Sequence, residues 1–383
     1  MELTPPAIFK DLFVLTDKFM PPSLQHRTEQ IQQLHYYLST FVKYRIITNN
    51  LLLFGPPGTG KTHTTKHVLA SLEQELSVFY ARAHKNTTHH SFLRTFLESH
   101  FRLRLHPKDS LSVYYSEFEQ ALSGVKNAIV VMDDIQFLVK NDPAGLDRLL
   151  FYLSRVEGNF GLIMIGNINA NDLAEALTPP TLSTLKLRSI FFPKYNSSQL
   201  KDILTERSSR ALHPEPQEKS LPALAKIAAL TAQEWGSARY ALDLMIEAGR
   251  ISEELFQQDH ITLDAVDRAD GMLEVSKMAD QLRNLPKQPF AVLEAIFRLH
   301  SQRQNVMDTM DAYRTYEQVC QELGLRPKSQ RRMVDLIAEL EMASMISSKI
   351  YSKGRHGRTR EIQWILDSSM EAVYQQQRAM HFG

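Results

Sequence analysis

The chain has one cysteine, Cys320, in 383 residues. A lone thiol closes no internal disulfide and builds no cysteine-based metal cluster. Such sparing use fits a reducing, intracellular compartment. The simplest role for Cys320 is that of a small apolar residue near a helix end. No apolar run reaches the length of about 18 residues that crosses a bilayer, so no membrane span is expected. The N-terminal stretch places no basic region before an apolar one, so no secretory leader is expected. Low-complexity tails and repeats of roughly 20–50 residues are missing too. Nor does either charge dominate: the formal balance is +1. A neutral total names no partner and leaves room for a local patch. What remains is the composition of a soluble globular protein, 43% hydrophobic and 23% charged, in a chain long enough for two or three domains.

Against this plain background stands Gly55-Pro56-Pro57-Gly58-Thr59-Gly60-Lys61-Thr62, a full GxxxxGK[ST] loop. An apolar run at 51–54 leads into it and a helical pattern at 64–76 follows. A buried parallel strand that delivers the loop and a helix that leaves it are the setting a phosphate-binding loop needs. Glycines let the backbone wrap an anion so that successive N–H groups point at phosphate oxygens. The helix N-terminus adds partial positive charge at the same place. Gly55, Gly58, Thr59 and Gly60 are therefore read as the cradle, Lys61 as the β- and γ-phosphate contact, and Thr62 as a Mg²⁺ ligand.

Strand-like runs at 51–54, 77–82, 128–132, 161–166 and 189–192 alternate with helical patterns. Such alternation predicts a parallel sheet with helices on both faces. From 197 onward the strand signals fade, and helices are expected at 198–211, 220–232, 237–257 and 263–282. After a break at Leu285-Pro286-Lys287-Gln288-Pro289, helices at 290–299, 311–323 and 329–343 precede strands at 346–351 and 360–366. Three helices and a β-hairpin make a winged helix-turn-helix. The expected domains are thus a nucleotide-binding core at 1–195, a helical lid at 196–284 and a winged-helix domain at 285–383.

The apolar run at 129–132 ends in Asp133 and Asp134. A carboxylate at this place orders Mg²⁺, and the next polarises the attacking water, so Asp133 is assigned to the metal and Asp134 to catalysis. Asn167, after the run 162–166, is placed to hold that water, although an amide at a strand end also serves turns. Arg239 starts a lid helix, where a cation is mildly unfavourable without an anionic partner; a γ-phosphate would supply one. The neighbours His89 and His90 lack further ligands and read as a solvated helix start rather than a metal site.

Together these residues resemble the AAA+ initiator family, the archaeal origin-recognition-complex subunits and the related cell-division-control helicase loaders. Further motifs carry the likeness along nearly the whole chain. Pro21 to Arg27 looks like the family's P-x-x-L-x-H-R segment beside the adenine. Phe192-Pro193-Lys194-Tyr195 is similar to its F-P-P-Y motif, and Ile203-Leu204-Thr205-Glu206-Arg207 to its I-L-x-x-R. Gly236 to Leu242 resembles its G-D-A-R-x-A-L sensor. By that match Tyr195 and Arg207 help hold the nucleotide, and Arg239 reads its γ-phosphate. The resemblance implies an α/β AAA+ core with a parallel sheet, an all-helical lid and a C-terminal winged helix. It also implies ATP/ADP and Mg²⁺ as cofactors.

Two departures bear on turnover. The family's Walker B motif usually ends Asp-Glu, whereas here it ends Asp133-Asp134. The shorter acid sits about 1.5 Å further back, and errors of about 1 Å can cost a hundredfold in rate. Pro180 stands where the family carries an arginine that can serve a neighbour's ATP site. Both departures favour slow hydrolysis.

Over 326–360 there are nine Lys or Arg against three acids, a balance of +6. In the helix from Ser329, Met333, Leu336, Ile337 and Leu340 form one apolar face. Arg331 and Arg332 lie at its N-terminal end, the part that enters the major groove in this motif. The glycine-hinged run Lys353-Gly354-Arg355-His356-Gly357-Arg358 resembles the family's wing, which can place an arginine in a narrow minor groove. Lys353, Arg355, Arg358 and Arg360 complete the expected DNA contacts. The helical segment at 91–123, with Arg94, Arg102, Arg104 and Lys108, looks like a second DNA-touching element of the family.

The resulting expectation is a replication initiator that binds double-stranded origin DNA and helps load the replicative helicase. Other initiator subunits are possible partners, the location is cytoplasmic and nucleoid-associated, and ATP acts as a slow switch. The rival reading is a nucleotide-bound DNA-binding regulator with negligible turnover. A generic P-loop ATPase is a third, which accounts poorly for the wing.

Overall fold

A computed structural model describes residues 8–45, 49–83, 88–106, 108–156, 160–302, 307–352 and 358–382. Its elements, in chain order, begin with α1 (Thr28–Tyr44), β1 (Asn50–Phe54), α2 (Lys61–Ser71), β2 (Ser77–Arg82), α3 (His89–Phe101), α4 (Leu111–Ser123) and β3 (Ala128–Asp133). They continue with α5 (Gln136–Asn141), α6 (Pro143–Leu153), β4 (Phe160–Gly166), α7 (Ala170–Ala176), α8 (Pro179–Leu185) and β5 (Leu187–Phe191). The helical run holds α9 (Ser197–Ala211), α10 (Pro214–Lys219), α11 (Leu221–Glu234), α12 (Ala238–Glu254) and α13 (Leu263–Arg283). Last come α14 (Lys287–Ser301), β6 (Met307–Asp308), α15 (Thr309–Glu322), α16 (Gln330–Met342), β7 (Ile346–Ser352), β8 (Arg358–Trp364) and α17 (Ser368–Phe382). The chain divides into two compact units, Met1–Val266 and Asp267–Gly383.

In the first unit five parallel strands stand in the order β2-β3-β4-β1-β5. Side chains alternate between faces along each strand, and here both faces are covered. Leu51, Leu53, Ile129, Val131, Ile163 and Ile165 join the core under α1 and α2. Their neighbours Leu52, Val130, Met132, Leu162 and Met164 join the opposite core, with side chains of α3, α4 and α6. Burial on two faces explains why these strands read as continuous apolar runs rather than alternating ones. The loop after β1 and the acids at the end of β3 therefore emerge at the same, carboxyl end of the parallel sheet.

Helices α9 to α12 belong to the same unit as that sheet, whereas most of α13 falls in the second unit. The N-terminal segment is tied to the helical run by an antiparallel bridge between Phe9 and Leu212. A Cβ on Gly249 would lie 2.1 Å from the Phe9 ring, so that glycine makes room for the aromatic.

Several boundaries differ from those expected from periodicity. The helix after the phosphate loop starts at Lys61 and ends at Ser71, rather than running from 64 to 76. Gly60, with φ +87°, turns the backbone directly into it. The short helices α5, α7, α8 and α10 leave no periodic trace, because a turn or two of helix cannot repeat an apolar stripe. The longer α6 buries Leu146, Leu149, Leu150 and Leu153 on one face. Asn169 caps α7 and Asp142 caps α6 with side-chain oxygens.

The second unit forms the expected three helices and hairpin, α14, α15, α16 and β7–β8, and adds two elements. β6 extends the sheet to the order β6-β8-β7, and α17 closes the core. Glu294 on α14 is fully buried and accepts from Tyr374 at 2.5 Å, Arg378 at 2.8 Å and Arg298 at 2.6 Å. A buried carboxylate must be saturated in this way or it destabilises the fold. Cys320 is buried in the same apolar core.

Candidate nucleotide site and nucleic-acid interface

The loop between β1 and α2 takes its path from glycine. Gly58 and Gly60 sit at φ +72° and +87°, a region that side chains rarely adopt. A Cβ on Gly58 would also strike the Ser237 hydroxyl at 1.9 Å, so the loop lies directly on the start of α12. The backbone N–H of Ala238 donates to the Gly58 carbonyl at 3.0 Å. Gly55 stands behind the loop, and its carbonyl accepts from Lys61 Nζ at 2.7 Å.

Lys61 Nζ also donates to the Pro56 carbonyl at 2.7 Å and to Asn167 Oδ1 at 3.1 Å. Burial pushes its ammonium down to about 8, opposed by Asp133 and assisted by Arg239. An anion beside Lys61 would reverse that loss. Thr62 Oγ1 donates to Asp133 Oδ2 at 3.0 Å, and the Tyr80 hydroxyl donates to the same oxygen. Asp133 Oδ1 accepts the Asp134 N–H at 3.0 Å. Burial, then the Asp133 charge, raises the Tyr80 phenol well above its usual range and keeps it a donor. Asp134 has φ +61°, and its Oδ1 accepts from Gln136 Nε2 at 3.2 Å.

Lys61, Thr62, Asp133, Asp134, Asn167 and Arg239 line one cleft. Apolar side chains line it too, among them Leu15, Pro21, Leu24, Ile203 and Leu242. Tyr195 and Arg207 line it as well, yet both are part of the frame. The Arg27 guanidinium stacks on the Tyr195 ring at 3.7 Å. It also donates to the carbonyls of Thr59, Pro193 and His26 at 2.8, 2.8 and 2.9 Å. Arg207 donates to the Val14 carbonyl at 2.9 Å and lies over the Phe19 ring at 4.8 Å. Sequence motifs pick out Arg27 only as a member of a run. Tyr80 carries no motif signal, because strand pairing brings it to the acids, and Gln136 falls only within the run Val130 to Leu138 that resembles the family's Walker B motif, with no role read for it.

One expectation is corrected. His89 does not sit at a solvated helix start; it is 6% exposed. Its ring Nδ1 lies 2.6 Å from Asp142 Oδ2, which also accepts the His89 backbone N–H at 2.9 Å. Asp142 meanwhile caps α6 through the Gly145 N–H. The histidine thus joins the starts of α3 and α6, a structural tie that adjacent letters do not reveal.

In the second unit, Met333, Leu336, Ile337 and Leu340 are buried as the apolar face of α16. Arg331 and Arg332 are exposed at its start, where Ser329 caps the helix. Arg332 leans back on Asp335 at 3.2 Å and Glu339 at 3.3 Å. Arg360 is half-buried in the hairpin, donating to Ser348 Oγ at 3.2 Å and lying 3.6 Å from Glu341. Arg358 opens β8, while Lys353 and Arg355 lie outside the described residues. In the first unit Arg102, Arg104 and Lys108 are exposed, whereas Arg94 is half-buried.

Comparison with known proteins agrees with this architecture. Residues 48–174 match the family described as AAA domain, 201–271 the Cdc6 AAA+ ATPase-type lid domain, and 280–374 the CDC6 C-terminal winged helix domain. The ORC1-type DNA replication protein of Pyrococcus abyssi is 35% identical over 374 residues, covering 93% of this chain and 87% of that protein. ORC1-type DNA replication protein 1 of Archaeoglobus fulgidus is 32% identical over 400 residues, covering 99% and 95%. The solved structure of the Aeropyrum pernix Orc1 protein in complex with DNA is 29% identical, with a TM-score of 0.80 over 97% of each chain. Among the described residues no helix is long and apolar enough to cross a membrane.

Proposed function

The chain belongs to the ORC1-type DNA replication protein family, and on that footing we propose that it is an ATP-dependent, DNA-binding replication initiator. In this reading it recognises double-stranded origin DNA, helps load the replicative helicase and works beside other initiator subunits on the nucleoid. ATP serves it as a slow conformational switch. The observation that carries the reading is the join between the phosphate loop and the lid, the hydrogen bond from Ala238 to Gly58 one residue before Arg239. A nucleotide in the cleft would touch core and lid at once. Lys61 would meet its β- and γ-phosphates, Arg239 the γ-phosphate, and the apolar side chains of the cleft its base.

The residues present fit Mg²⁺. Thr62 Oγ1 and Asp133 Oδ2 are 3.0 Å apart beside the phosphate loop, an all-oxygen pair of the kind this ion takes together with phosphate and water. When bound, the ion neutralises phosphate charge. Asp134 would accept a proton from the attacking water and Asn167 would orient that water.

A second reading, a nucleotide-bound DNA-binding regulator with negligible turnover, draws support from Asp134 and Pro180. The short acid and the missing arginine both predict slow hydrolysis. Rates with and without DNA separate the two, and Asp134→Glu should speed turnover if reach is the limit. For the switch itself, Lys61→Ala should weaken ATP binding by roughly a hundredfold, read with a fluorescent ATP analogue. Its DNA footprint should no longer differ between ATP and ADP. Parental ATP affinity in that variant would sink the reading.

A further inference from the structure

We infer that Gln136 is a positioning residue for ATP hydrolysis, holding the Asp134 carboxylate against the end of β4. The inference rests on the reading of Asp134 as the group that takes a proton from the attacking water. Gln136 opens α5, and its side-chain amide faces two ways. Nε2 donates to Asp134 Oδ1 at 3.2 Å, and Oε1 accepts the Asn167 backbone N–H at 3.3 Å. The reversed amide would set a donor against an N–H and an oxygen against a carboxylate, so the two partners dictate its orientation. Asn167 Oδ1 accepts in turn from Lys61 Nζ at 3.1 Å. A relay of hydrogen bonds therefore runs from the phosphate-loop lysine, through the end of β4 and the Gln136 amide, to Asp134.

Two independent observations point to the same role. Asp134 holds φ +61°, a left-handed conformation that persists in a non-glycine residue where its surroundings determine it. At the other end of the amide, a Cβ on Gly166 would lie 3.1 Å from Gln136 Oε1 and 2.9 Å from Ile135 Cγ2. The last residue of β4 is thus bare where the amide and its helix approach. An aspartate has little reach in hand, so its direction matters more than a glutamate's would. Gln136 acts through Asp134 and need not touch the nucleotide.

The test is single-turnover hydrolysis of γ-labelled ATP by the full chain, with ATP affinity measured alongside. Gln136→Ala should slow hydrolysis by about tenfold to a hundredfold, the cost of a misplacement near 1 Å. ATP affinity should stay within about twofold, since interactions made only on the reaction path leave ground-state binding alone. In an Asp134→Ala background the same change should alter the rate by less than about twofold, because the group it orients is gone. Gln136→Glu keeps the volume and the acceptor for Asn167 but loses the donor. It should be as slow as Gln136→Ala, and it covers the case in which the alanine variant does not fold. Equal slowing in both backgrounds overturns the inference, as does a parental rate in Gln136→Ala when Asp134→Ala is slow. If Asp134→Ala itself keeps the parental rate, the proton-acceptor reading fails and the positioning role falls with it.

Discussion

Two regions of this chain hold their arginines in opposite ways. Beside the cleft, Arg27 is 2% exposed and Arg207 is 7% exposed, and each spends its donors on backbone carbonyls and its plane on an aromatic ring. At the start of α16, Arg331 and Arg332 are exposed, and the partners of Arg332 are acids of its own helix. A buried guanidinium with fixed geometry is structural: it ties Thr59 in the phosphate loop to Pro193 after β5. An exposed one on a helix end faces solvent, where an external polyanion can compete with any acid it pairs with. Charge alone does not separate the two classes; burial and the identity of the partner do.

The comparison breaks first if a cleft arginine can be removed cheaply. Arg27→Ala would remove the donor from the buried Thr59 carbonyl and break the part-buried bonds to His26 and Pro193. Losing these bonds together with the stack on Tyr195 should cost about 3 kcal/mol of stability. Urea unfolding measures it. Arg27→Lys should recover little, because an ammonium cannot serve three directions and a ring face together. Changes below about 1 kcal/mol in both variants would place Arg27 in the same class as the surface arginines.

The next effect falls on DNA and not on stability. Arg355→Ala combined with Arg358→Ala should weaken DNA binding and reduce the slope of log affinity against log salt by about 1.8, as expected for two lost phosphate contacts. Stability should stay within about 0.5 kcal/mol. Unchanged affinity would remove the wing from the interface.

Legibility in the sequence follows the same division. Lys61, Thr62, Asp133 and Asn167 can be read from letters because a strand end and a loop fix each of them relative to its chain neighbours. The apolar face of α16 is legible because periodicity alone defines it. Arg27 is legible as a motif letter but not as a tie to Thr59 and Pro193, since those contacts join distant segments. Tyr80 reaches Asp133 only through the pairing of β2 with β3. Gln136 reaches Asn167 only through the pairing of β3 with β4. His89 misleads for the same reason: Asp142, to which it is hydrogen-bonded, is remote in sequence. Period and motif report what a chain does locally, and tertiary pairs between single side chains leave no such trace.

The smallest expected effect draws the line within α16 itself. Arg331 and Arg332 are adjacent, equally charged and both exposed, so composition treats them alike. Arg332, however, pairs with Asp335 and Glu339, and turning to a phosphate would leave those acids behind. Exposed pairs of this kind are worth well under 1 kcal/mol, so Arg332→Ala should leave stability almost unchanged. The salt slope of DNA binding distinguishes the two residues. Arg331→Ala should flatten it by about 0.9, the value for one phosphate contact. Arg332→Ala should lower affinity slightly through the uncovered acids yet leave the slope near the parental value. Equal flattening by both substitutions would mean that Arg332 abandons its helix partners on DNA.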